Sequence, residues 1–477
     1  MDKFDLVVIG SGFGSLFFLQ RYLQNVPNTR VAVVEWGRRN DSAWQREHQR
    51  NSNMDPAQTH KQKATEKPWV YTIGVGGGTN CWWGQAIRLL PSDFEMQSKY
   101  GVLEDWPLTY SDIEPYYCDV EDTMLISGSD AISKINPRSR PFPQPAHNMS
   151  EPDRILAAAQ PDFHFPVTTA RASVSSSSRG RCCASAACNL CPVDAKFTAF
   201  NGMKDVLDNP RITWITEARA TEIIVEGGAA KGVHYRSANG EGDVFGDLVV
   251  LGANAIQSPA ILLASGINSP ATGKGLCEQY ACDLEVHLDG VENFGGGSVS
   301  TGLNYLLYDG AHRSEAGAAL VNFDNHFRFG LRTEKGRWRE TMPVVINIED
   351  APEDRNRVEI TSSGEPFVHH PDVSDYAKRG MKRALDKINE VLAPLPVDEI
   401  IFRGYRPTEA HLQCSLRMGQ DPNTSVVDHL GRHHKVTNLI VVGSSVFTTC
   451  PPANPSLTVA ALARRSADFL TRGGGGQ

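Results

Sequence analysis

Four cysteines stand within ten residues near the middle of the chain, and their spacing suits metal or redox chemistry. They are Cys182, Cys183, Cys188 and Cys191, and a proline follows the last of them. Thiolates in a C-x4-C-x2-C-P pattern can hold one inorganic cluster, and a proline after the final ligand is common in ferredoxins. A disulfide framework, by contrast, is typical of small secreted chains. The block is therefore a candidate ligand set for a metal cluster.

The spacing of this block leaves more than one chemistry open. A zinc knot, a disulfide pair and thiols without any ligand are all compatible with it. An iron–sulfur cluster held by Cys182, Cys188 and Cys191 is the favoured interpretation. Cys183, which has the C-x4-C spacing to Cys188, is the alternative first ligand, and Cys182 is preferred to it by position.

A glycine-rich turn near the N-terminus could bind a diphosphate. The apolar run 4–9 precedes it, and an amphipathic stretch of helical spacing and a second apolar run, 31–34, follow before Glu35. This order of strand, turn, helix, strand and acid is typical of dinucleotide binding. Gly10 permits the tight turn, and Gly12 lets the backbone approach a pyrophosphate at the helix N-terminus. Glu35 can accept hydrogen bonds from ribose hydroxyls, which favours FAD or NAD over NADP.

Two further segments carry the signs of a bound planar cofactor. Residues 74–84 read GVGGGTNCWWG, so the backbone can lie flat against a ligand while two tryptophans supply aromatic surface. A second strand, turn and helix follow at 248–267.

Together these segments resemble the glucose-methanol-choline (GMC) family of FAD oxidoreductases, and the resemblance continues to the C-terminus. The segment 411–419, HLQCSLRMG, is similar to the family's HxxGTxRMG motif, and 438–447 with 454–458 match its closing strand and helix. The chain departs from the family pattern at Ser15, where a third glycine is usual, and at Cys414, where glycine is usual.

The resemblance implies a set of FAD-binding residues. They come from the five motifs and are Gly10, Gly12, Gly14, Ser15, Glu35, Gly77, Gly78, Thr79, Asn80, Cys81, Trp82, Ala220, Gly252, Ala253, Gly443, Ser444, Pro455 and Thr458. Cys81 stands where some sugar-oxidising members carry a histidine linked to the flavin. Cys81 could be linked covalently to the flavin, or its thiol could pack under the flavin ring without a bond, and the packed thiol is favoured.

The resemblance also implies the catalytic pair. Oxidising an alcohol requires a hydride acceptor, which is flavin N5, and a base with a pKa near the working pH, which favours histidine. His411 matches the family's base, and Asn454 matches the second catalytic position, where an amide can orient the substrate oxygen.

The cysteine block is similar to the segment that holds an iron–sulfur cluster in FAD-dependent sugar dehydrogenases. Those enzymes have one more residue between their last two cysteines, and their cluster is a three-iron one; a 3Fe–4S or a 4Fe–4S cluster is expected here. They work beside a small helper subunit and a cytochrome, so both are expected partners.

The fold expected from these motifs is of the α/β class, with a discontinuous Rossmann-like FAD-binding domain. That domain comprises 1–95, 205–285 and 405–477; 96–204 forms a cap that carries the cysteines, and 286–404 forms the substrate-binding domain. The substrate domain should contain an antiparallel sheet covered by a helix at Val373–Leu392. Its expected strands are Ala318–Asn322, Phe327–Arg332, Pro343–Ile348 and Arg357–Thr361.

Composition excludes several functional classes. The 477 residues carry a net charge of −8 and contain no long basic run, so nucleic-acid binding is not expected. No stretch reaches the ~18 uninterrupted apolar residues of a membrane helix. The N-terminus has no basic region before its apolar run, so we expect the protein in the cytoplasm, or in the periplasm only if a signal-bearing partner exports it.

The leading hypothesis is an FAD-dependent dehydrogenase that oxidises a hydroxyl of a sugar, glycoside or similar alcohol. Its electrons would leave through the iron–sulfur cluster to a partner protein. An oxidase that uses O2, with structural cysteines, is the main alternative, and a non-redox GMC lyase is another. The walls of the substrate pocket match no motif, so the sequence does not identify the substrate.

Overall fold

The computed structural model describes residues 3–326 and 337–472. The strand expected at Phe327–Arg332 lies outside these described residues.

Eighteen strands form in the described ranges. In chain order they are Lys3–Ile9 (β1), Val31–Val34 (β2), Lys61–Gln62 (β3), Ser127–Gly128 (β4), Gln144–Pro145 (β5), His164–Pro166 (β6), Ile212–Ile215 (β7), Ala218–Glu226 (β8), Ala229–Ser237 (β9), Gly240–Leu251 (β10), Tyr280–Leu288 (β11), Ser300–Asn304 (β12), Ala319–Asp324 (β13), Thr341–Ile348 (β14), Arg357–Ile360 (β15), Pro366–His369 (β16), Val397–Tyr405 (β17) and Leu439–Val441 (β18).

Eleven α-helices accompany the strands in the same ranges. They are Phe13–Asn25 (α1), Ser42–His48 (α2), Gly78–Cys81 (α3), Met96–Tyr100 (α4), Tyr110–Met124 (α5), Glu151–Ala159 (α6), Ala199–Gly202 (α7), Lys204–Leu207 (α8), Asn254–Ala264 (α9), Asp375–Leu392 (α10) and Ser456–Arg472 (α11). None of these helices is both long enough and apolar enough to cross a bilayer.

A seven-stranded sheet forms the first layer of the molecule. Its order is β7-β2-β1-β10-β9-β8, and β18 also pairs with β10. β1 lies parallel between β2 and the end of β10, with Leu6 opposite both Val31 and Leu248. Every residue of β2 is buried, as are the last four of β1, which is why these strands read as continuous apolar runs. The expected Rossmann-like core is confirmed.

A six-stranded antiparallel sheet forms the second layer, in the order β17-β11-β14-β13-β12-β6. All eight residues of β14 are buried, and α10 packs across β11, β13 and β14. The expected strands at Ala318–Asn322 and Pro343–Ile348 are confirmed as β13 and β14, and the expected helix at Val373–Leu392 is confirmed as α10. The domain boundary expected at residue 285 falls inside β11, which belongs to this sheet.

The expected place of Arg357–Thr361 in this sheet is wrong. The segment forms β15, which pairs with β16 in a separate three-stranded sheet and packs on α9. The physical reason is that β14, the preceding strand, is already paired with β11 on one side and β13 on the other. The chain therefore leaves the large sheet after β14 and pairs locally.

Candidate active site

A cavity of about 650 Å³ lies where the two large sheets meet. Its floor contains the residues at the carboxyl ends of β1 and β2 and the turn that follows β10. Ligands of open α/β sheets bind at this edge of the strands. The opposite wall is built from β12, β13 and β14 of the antiparallel sheet. One side of the cavity is therefore the edge of the first sheet at which a dinucleotide can bind, and the other side is the antiparallel sheet.

Most of the residues that the sequence singled out line this cavity. The lining contains His411 and Asn454 together with Gly10, Gly12, Gly14, Glu35, Gly77, Gly78, Cys81, Trp82, Ala220, Gly252, Ala253, Gly443, Ser444 and Pro455.

Four of the expected FAD residues lie behind this lining instead. Ser15 is fully buried against Gly252, where any side chain on that glycine would overlap the Ser15 hydroxyl. Thr79 Oγ1 accepts a hydrogen bond of 3.0 Å from the backbone N–H of Ala199. Asn80 and Thr458 are also buried and bond within the protein, Asn80 to a carbonyl of its own loop and Thr458 to the hydroxyl of Tyr117. These four lie in the layer that supports the cavity wall.

The glycine turn after β1 leaves room for an anion at one position. Gly10 has a φ of +82° and lies against the backbone of Gly252, so it cannot carry a side chain. Gly14 is equally tight, because an added Cβ would stand 2.7 Å from the backbone nitrogen of Gly443. At Gly12, by contrast, no protein atom lies within 4 Å of an added Cβ. The open space lies at the N-terminus of α1, where a diphosphate is favoured.

Glu35 is a buried carboxylate at the end of β2. Its Oε2 accepts a hydrogen bond of 2.7 Å from Ser11 Oγ, and its Oε1 accepts one of 2.8 Å from the backbone N–H of Gly37. Burial raises the pKa of this carboxyl, while these hydrogen bonds lower it. The acid and the open turn fit the ribose and the diphosphate of FAD, so the residues present suit that cofactor.

His411 and Asn454 both line the cavity and contact each other. The Nε2 atom of His411 lies 3.3 Å from Asn454 Nδ2, and its Nδ1 lies 2.9 Å from Gln279 Oε1. Burial lowers the pKa of His411 to about 4. The imidazole is therefore neutral near pH 7, the form that can accept a proton, although its pKa lies below the near-neutral value expected from the sequence because burial disfavours the charged ring.

A polar wall faces this pair from the antiparallel sheet. Asn322 donates to Asn347 Oδ1 at 2.9 Å, and Asn347 donates in turn to Glu409 Oε2 at 2.9 Å. Arg406 Nη1 also donates to Glu409 Oε2, at 2.9 Å. Burial raises the pKa of Glu409 to about 7, with Arg406 acting in the opposite direction. The wall offers alternating donors and acceptors to a ligand that carries hydroxyl groups.

The sequence reasoning missed this polar wall. Asn322 and Asn347 each interrupt an otherwise apolar strand, in ALVNFD and TMPVVINI. A buried amide inside a buried strand needs a hydrogen-bond partner, so these interruptions were the available signal. Glu409 and Arg406 left no comparable signal, because both stand in the polar segment before His411.

The four cysteines lie beside the glycine-rich segment 74–84, which we call the flavin loop, and none of the four lines the cavity. Cys188 is buried, Cys182 and Cys191 are half-buried, and Cys183 is exposed. Burial raises the pKa of the Cys188 thiol, and the neighbouring Cys182 and Cys191 raise it further. All ten cysteines are free, and no three His, Cys, Asp or Glu side chains in 3–326 and 337–472 are arranged as a formed metal site. The thiols are thus neighbours that hold no disulfide.

Two buried cations stand next to these thiols. Arg171 is 1% exposed, and its Nε and Nη2 have no hydrogen-bond partner within the part of the chain that the structure describes. Lys196 is also 1% exposed, and its hydrogen bonds in the described residues go to the backbone oxygens of Asn80 and Trp82, at 2.7 and 2.9 Å. Burial lowers the pKa of Lys196 to about 8, while Cys81, Cys188, Cys191 and the Asp194 carboxylate raise it. Buried cations that form no salt bridge in the described residues favour an anion at this place.

Comparison with known proteins places the chain in a family. It is 25% identical to the fructose dehydrogenase large subunit of Gluconobacter japonicus, covering 98% of this chain and 97% of that protein. It is 28% identical to the 6'''-hydroxyparomomycin C oxidase of Streptomyces lividus, covering 97% and 90%. Pyridoxine 4-oxidase from Mesorbium loti shares the fold, with a TM-score of 0.68, 18% identity and 98% of both chains covered.

Two family models, both described as GMC oxidoreductase, match residues 57–281 and 352–463, which together are more than two thirds of the chain. The cavity floor built from glycine turns and Glu35 agrees with the flavin cofactor of that family. The chain therefore belongs to the GMC oxidoreductases, FAD-dependent enzymes that oxidise alcohol groups.

Proposed function

We propose that the protein is an FAD-dependent dehydrogenase that oxidises a hydroxyl group of a sugar, glycoside or similar polyhydroxylated alcohol. The observation that carries the proposal is the neutral base His411, paired with Asn454, in a cavity that has glycine turns on one side and a polar wall on the other. A base and a hydrogen-bonding wall in one cavity suit a substrate that reacts at one hydroxyl and is recognised by others.

The chain's own residues divide the chemical task between them. Bound FAD supplies the hydride acceptor. His411 Nε2 takes the proton of the reacting hydroxyl, and the Asn454 amide holds the same oxygen without competing for that proton. The alternating groups of the polar wall, from Asn322 to Glu409, hold the remaining hydroxyls, because each can donate to or accept from an O–H group. Recognition of these further hydroxyls requires hydrogen-bonding side chains, which the amides of the polar wall provide and apolar side chains would not.

The names of the relatives support a hydroxyl-rich substrate. One is a fructose dehydrogenase and another oxidises a paromomycin derivative. To test the class, the purified enzyme is mixed anaerobically with sugars, glycosides and simple primary alcohols while the flavin absorbance is followed. We expect fast reduction by the hydroxyl-rich compounds. Faster reduction by a simple alcohol would contradict the substrate class.

We further propose that Cys182, Cys188 and Cys191 hold an iron–sulfur cluster, with Cys183 as the alternative first ligand. The side chains of Arg171 and Lys196 support this proposal, because thiolate-bound clusters are anionic and neither buried cation forms a salt bridge in the described ranges. A cluster there would accept electrons beside the flavin loop. A small helper subunit and a cytochrome would be the onward partners, and the protein would be cytoplasmic unless a signal-bearing helper exports it.

The cluster is tested by iron and acid-labile sulfide analysis of the purified chain, with its absorption spectrum. We expect iron, sulfide and broad visible absorption beyond the flavin bands, all of which are lost in Cys188→Ser. Cys282→Ser is the matched control, because Cys282 is also a buried free cysteine but lies in β11. Protein without iron, or with stoichiometric zinc, would contradict the cluster.

An oxidase that passes its electrons to O2 is the second candidate function. The names of the hydroxyparomomycin and pyridoxine oxidases among the similar proteins favour it. The two functions separate when the substrate-reduced enzyme is mixed with O2 or with a one-electron acceptor. A dehydrogenase is reoxidised much faster by the acceptor, and an oxidase by O2.

A further inference from the structure

We propose that Gln279 is a positioning residue that selects one tautomer of His411, with the proton on Nδ1, and so keeps Nε2 available as the base. The inference rests on the proposed role of His411. Gln279 is 5% exposed and lies outside every motif of the family resemblance. Its side chain contacts His411 and the backbone of Ala453, the residue next to Asn454.

The orientation of the Gln279 amide is set by two carbonyl groups. Its Nε2 donates 2.8 Å to the backbone oxygen of Pro451 and 3.1 Å to that of Ala453. Neither carbonyl can donate a hydrogen bond, so the NH2 group must face them and the oxygen must face the other way. The amide therefore presents Oε1 to His411.

The amide oxygen then determines where the proton of His411 resides. Gln279 Oε1 lies 2.9 Å from His411 Nδ1 and can only accept, so Nδ1 must carry the hydrogen. A neutral imidazole has a single N–H, which leaves a lone pair on Nε2. Asn454 Nδ2, which can only donate, lies 3.3 Å from that Nε2. In the described residues no second hydrogen bond orients the Asn454 amide, whereas two carbonyls anchor that of Gln279, so Gln279 is the neighbour that sets the tautomer.

The residue before Gln279 holds the backbone at the same point. Glu278 Oε1 accepts from the backbone N–H of His411 at 2.7 Å, and its carboxylate pairs with Lys67. Ala453, which Gln279 holds, immediately precedes Asn454. Glu278 thus holds the backbone of His411, while Gln279 holds the His411 ring and the loop that carries Asn454.

A neutral amide suits this position better than a carboxylate would. The charged groups that act on His411 are Glu278, which raises its pKa, and Arg406, which lowers it. A carboxylate hydrogen-bonded to Nδ1 would stabilise the imidazolium and hold a proton on the base. Gln279 supports Nδ1–H and adds no charge, so the base stays free over a wide pH range.

The test uses Gln279→Leu and Gln279→Glu, with Gln413→Leu as the matched control. Gln413 is also fully buried and close to His411 in the chain, but neither of its amide atoms has a hydrogen-bond partner in the described residues. Histidine tautomers are read from ¹⁵N-histidine spectra of the FAD-loaded protein, in which His411→Gln identifies the signal. The rate of anaerobic flavin reduction by the best sugar substrate is measured against pH.

We expect the wild type to show Nδ1–H at His411 and an acid limb near pH 4 in the reduction profile. Gln279→Leu should mix the tautomers and slow reduction about 10-fold or more, with FAD retained. Gln279→Glu should raise the pH of the acid limb by about 1–3 units. Gln413→Leu should change neither readout.

Two results would overturn the proposal. One is an unchanged Nδ1–H signal at His411 in Gln279→Leu, and the other is an equal loss of rate in Gln413→Leu, which would indicate general disruption of packing. The spectra that report the tautomer need no substrate, so they decide the role of Gln279 independently of catalysis. If no hydroxyl compound reduces the flavin of the wild type, the proposed function is refuted, but the result on Gln279 stands.

Discussion

Burial changes His411 from a side chain that titrates near neutrality into one that stays neutral down to a pH of about 4, its lowered pKa. We predict that His411→Ala slows anaerobic flavin reduction by the substrate about 10²–10⁴-fold, the usual contribution of a general base. FAD content should not change, because the ring contacts Gln279 and Asn454 rather than the glycine turns. Asn454→Ala should slow reduction less, since it removes a hydrogen bond and leaves the proton acceptor. Reduction of the His411→Ala flavin at the wild-type rate would place the base elsewhere.

The turn between β1 and α1 is the element that connects the fold to the cofactor. We predict that Gly14→Ala lowers the thermal midpoint of unfolding, because its Cβ would stand 2.7 Å from the Gly443 nitrogen and push α1 away from that loop. Gly12→Ala should leave the midpoint of the FAD-free protein unchanged, since its φ of −80° suits alanine and nothing lies within 4 Å of the added carbon. It should nevertheless weaken FAD binding by filling the space of the diphosphate. Equal FAD affinity in Gly12→Ala and the wild type would contradict this position for the diphosphate.

At the scale of the whole molecule, a buried ion cluster fastens the segment after the flavin loop to the antiparallel sheet. Arg313, Asp93 and Glu349 are all fully buried, and Arg313 Nη2 lies 2.9 Å from Asp93 and 2.7 Å from Glu349. Burial raises the pKa of Asp93 to about 6, and Arg313 lowers it. We predict that Arg313→Met destabilises the protein by about 3–5 kcal/mol, because it leaves buried carboxylates without a counter-charge. The midpoint of denaturant unfolding at pH 7.5 measures this loss.

The control for this cluster is an exposed ion pair of the same sheet region. Arg337 pairs with Asp398 at the surface, where solvent screens the interaction and the pair contributes little to stability. Arg337→Met should therefore move the unfolding midpoint little. If Arg313→Met moves the unfolding midpoint no further than Arg337→Met does, the buried cluster does not stabilise the contact between the segment around Asp93 and the antiparallel sheet.

The sequence by itself determined the features whose residues are near neighbours in the chain. The strand, glycine turn, helix and second strand between Lys3 and Val34 follow from local pattern, because each step is set by residues only a few positions apart. The family motifs predicted the cavity floor in the same way. The sequence also predicted that Arg357–Ile360 forms a strand, but it did not predict which sheet the strand joins. That choice depends on which strand edges the rest of the chain leaves unpaired.

Only the tertiary structure decided which distant side chains meet around the base. Gln279 reaches His411 across 132 positions, and Asn322 reaches Asn347 from the neighbouring strand. Such contacts depend on strand register and on the meeting of the two sheets, neither of which a local pattern encodes. The same holds for Arg171 and Lys196, whose burial beside the cysteines follows from the packing of separate loops around them. The sequence thus determined the chemistry that the chain carries, and the fold determined which of its groups act together.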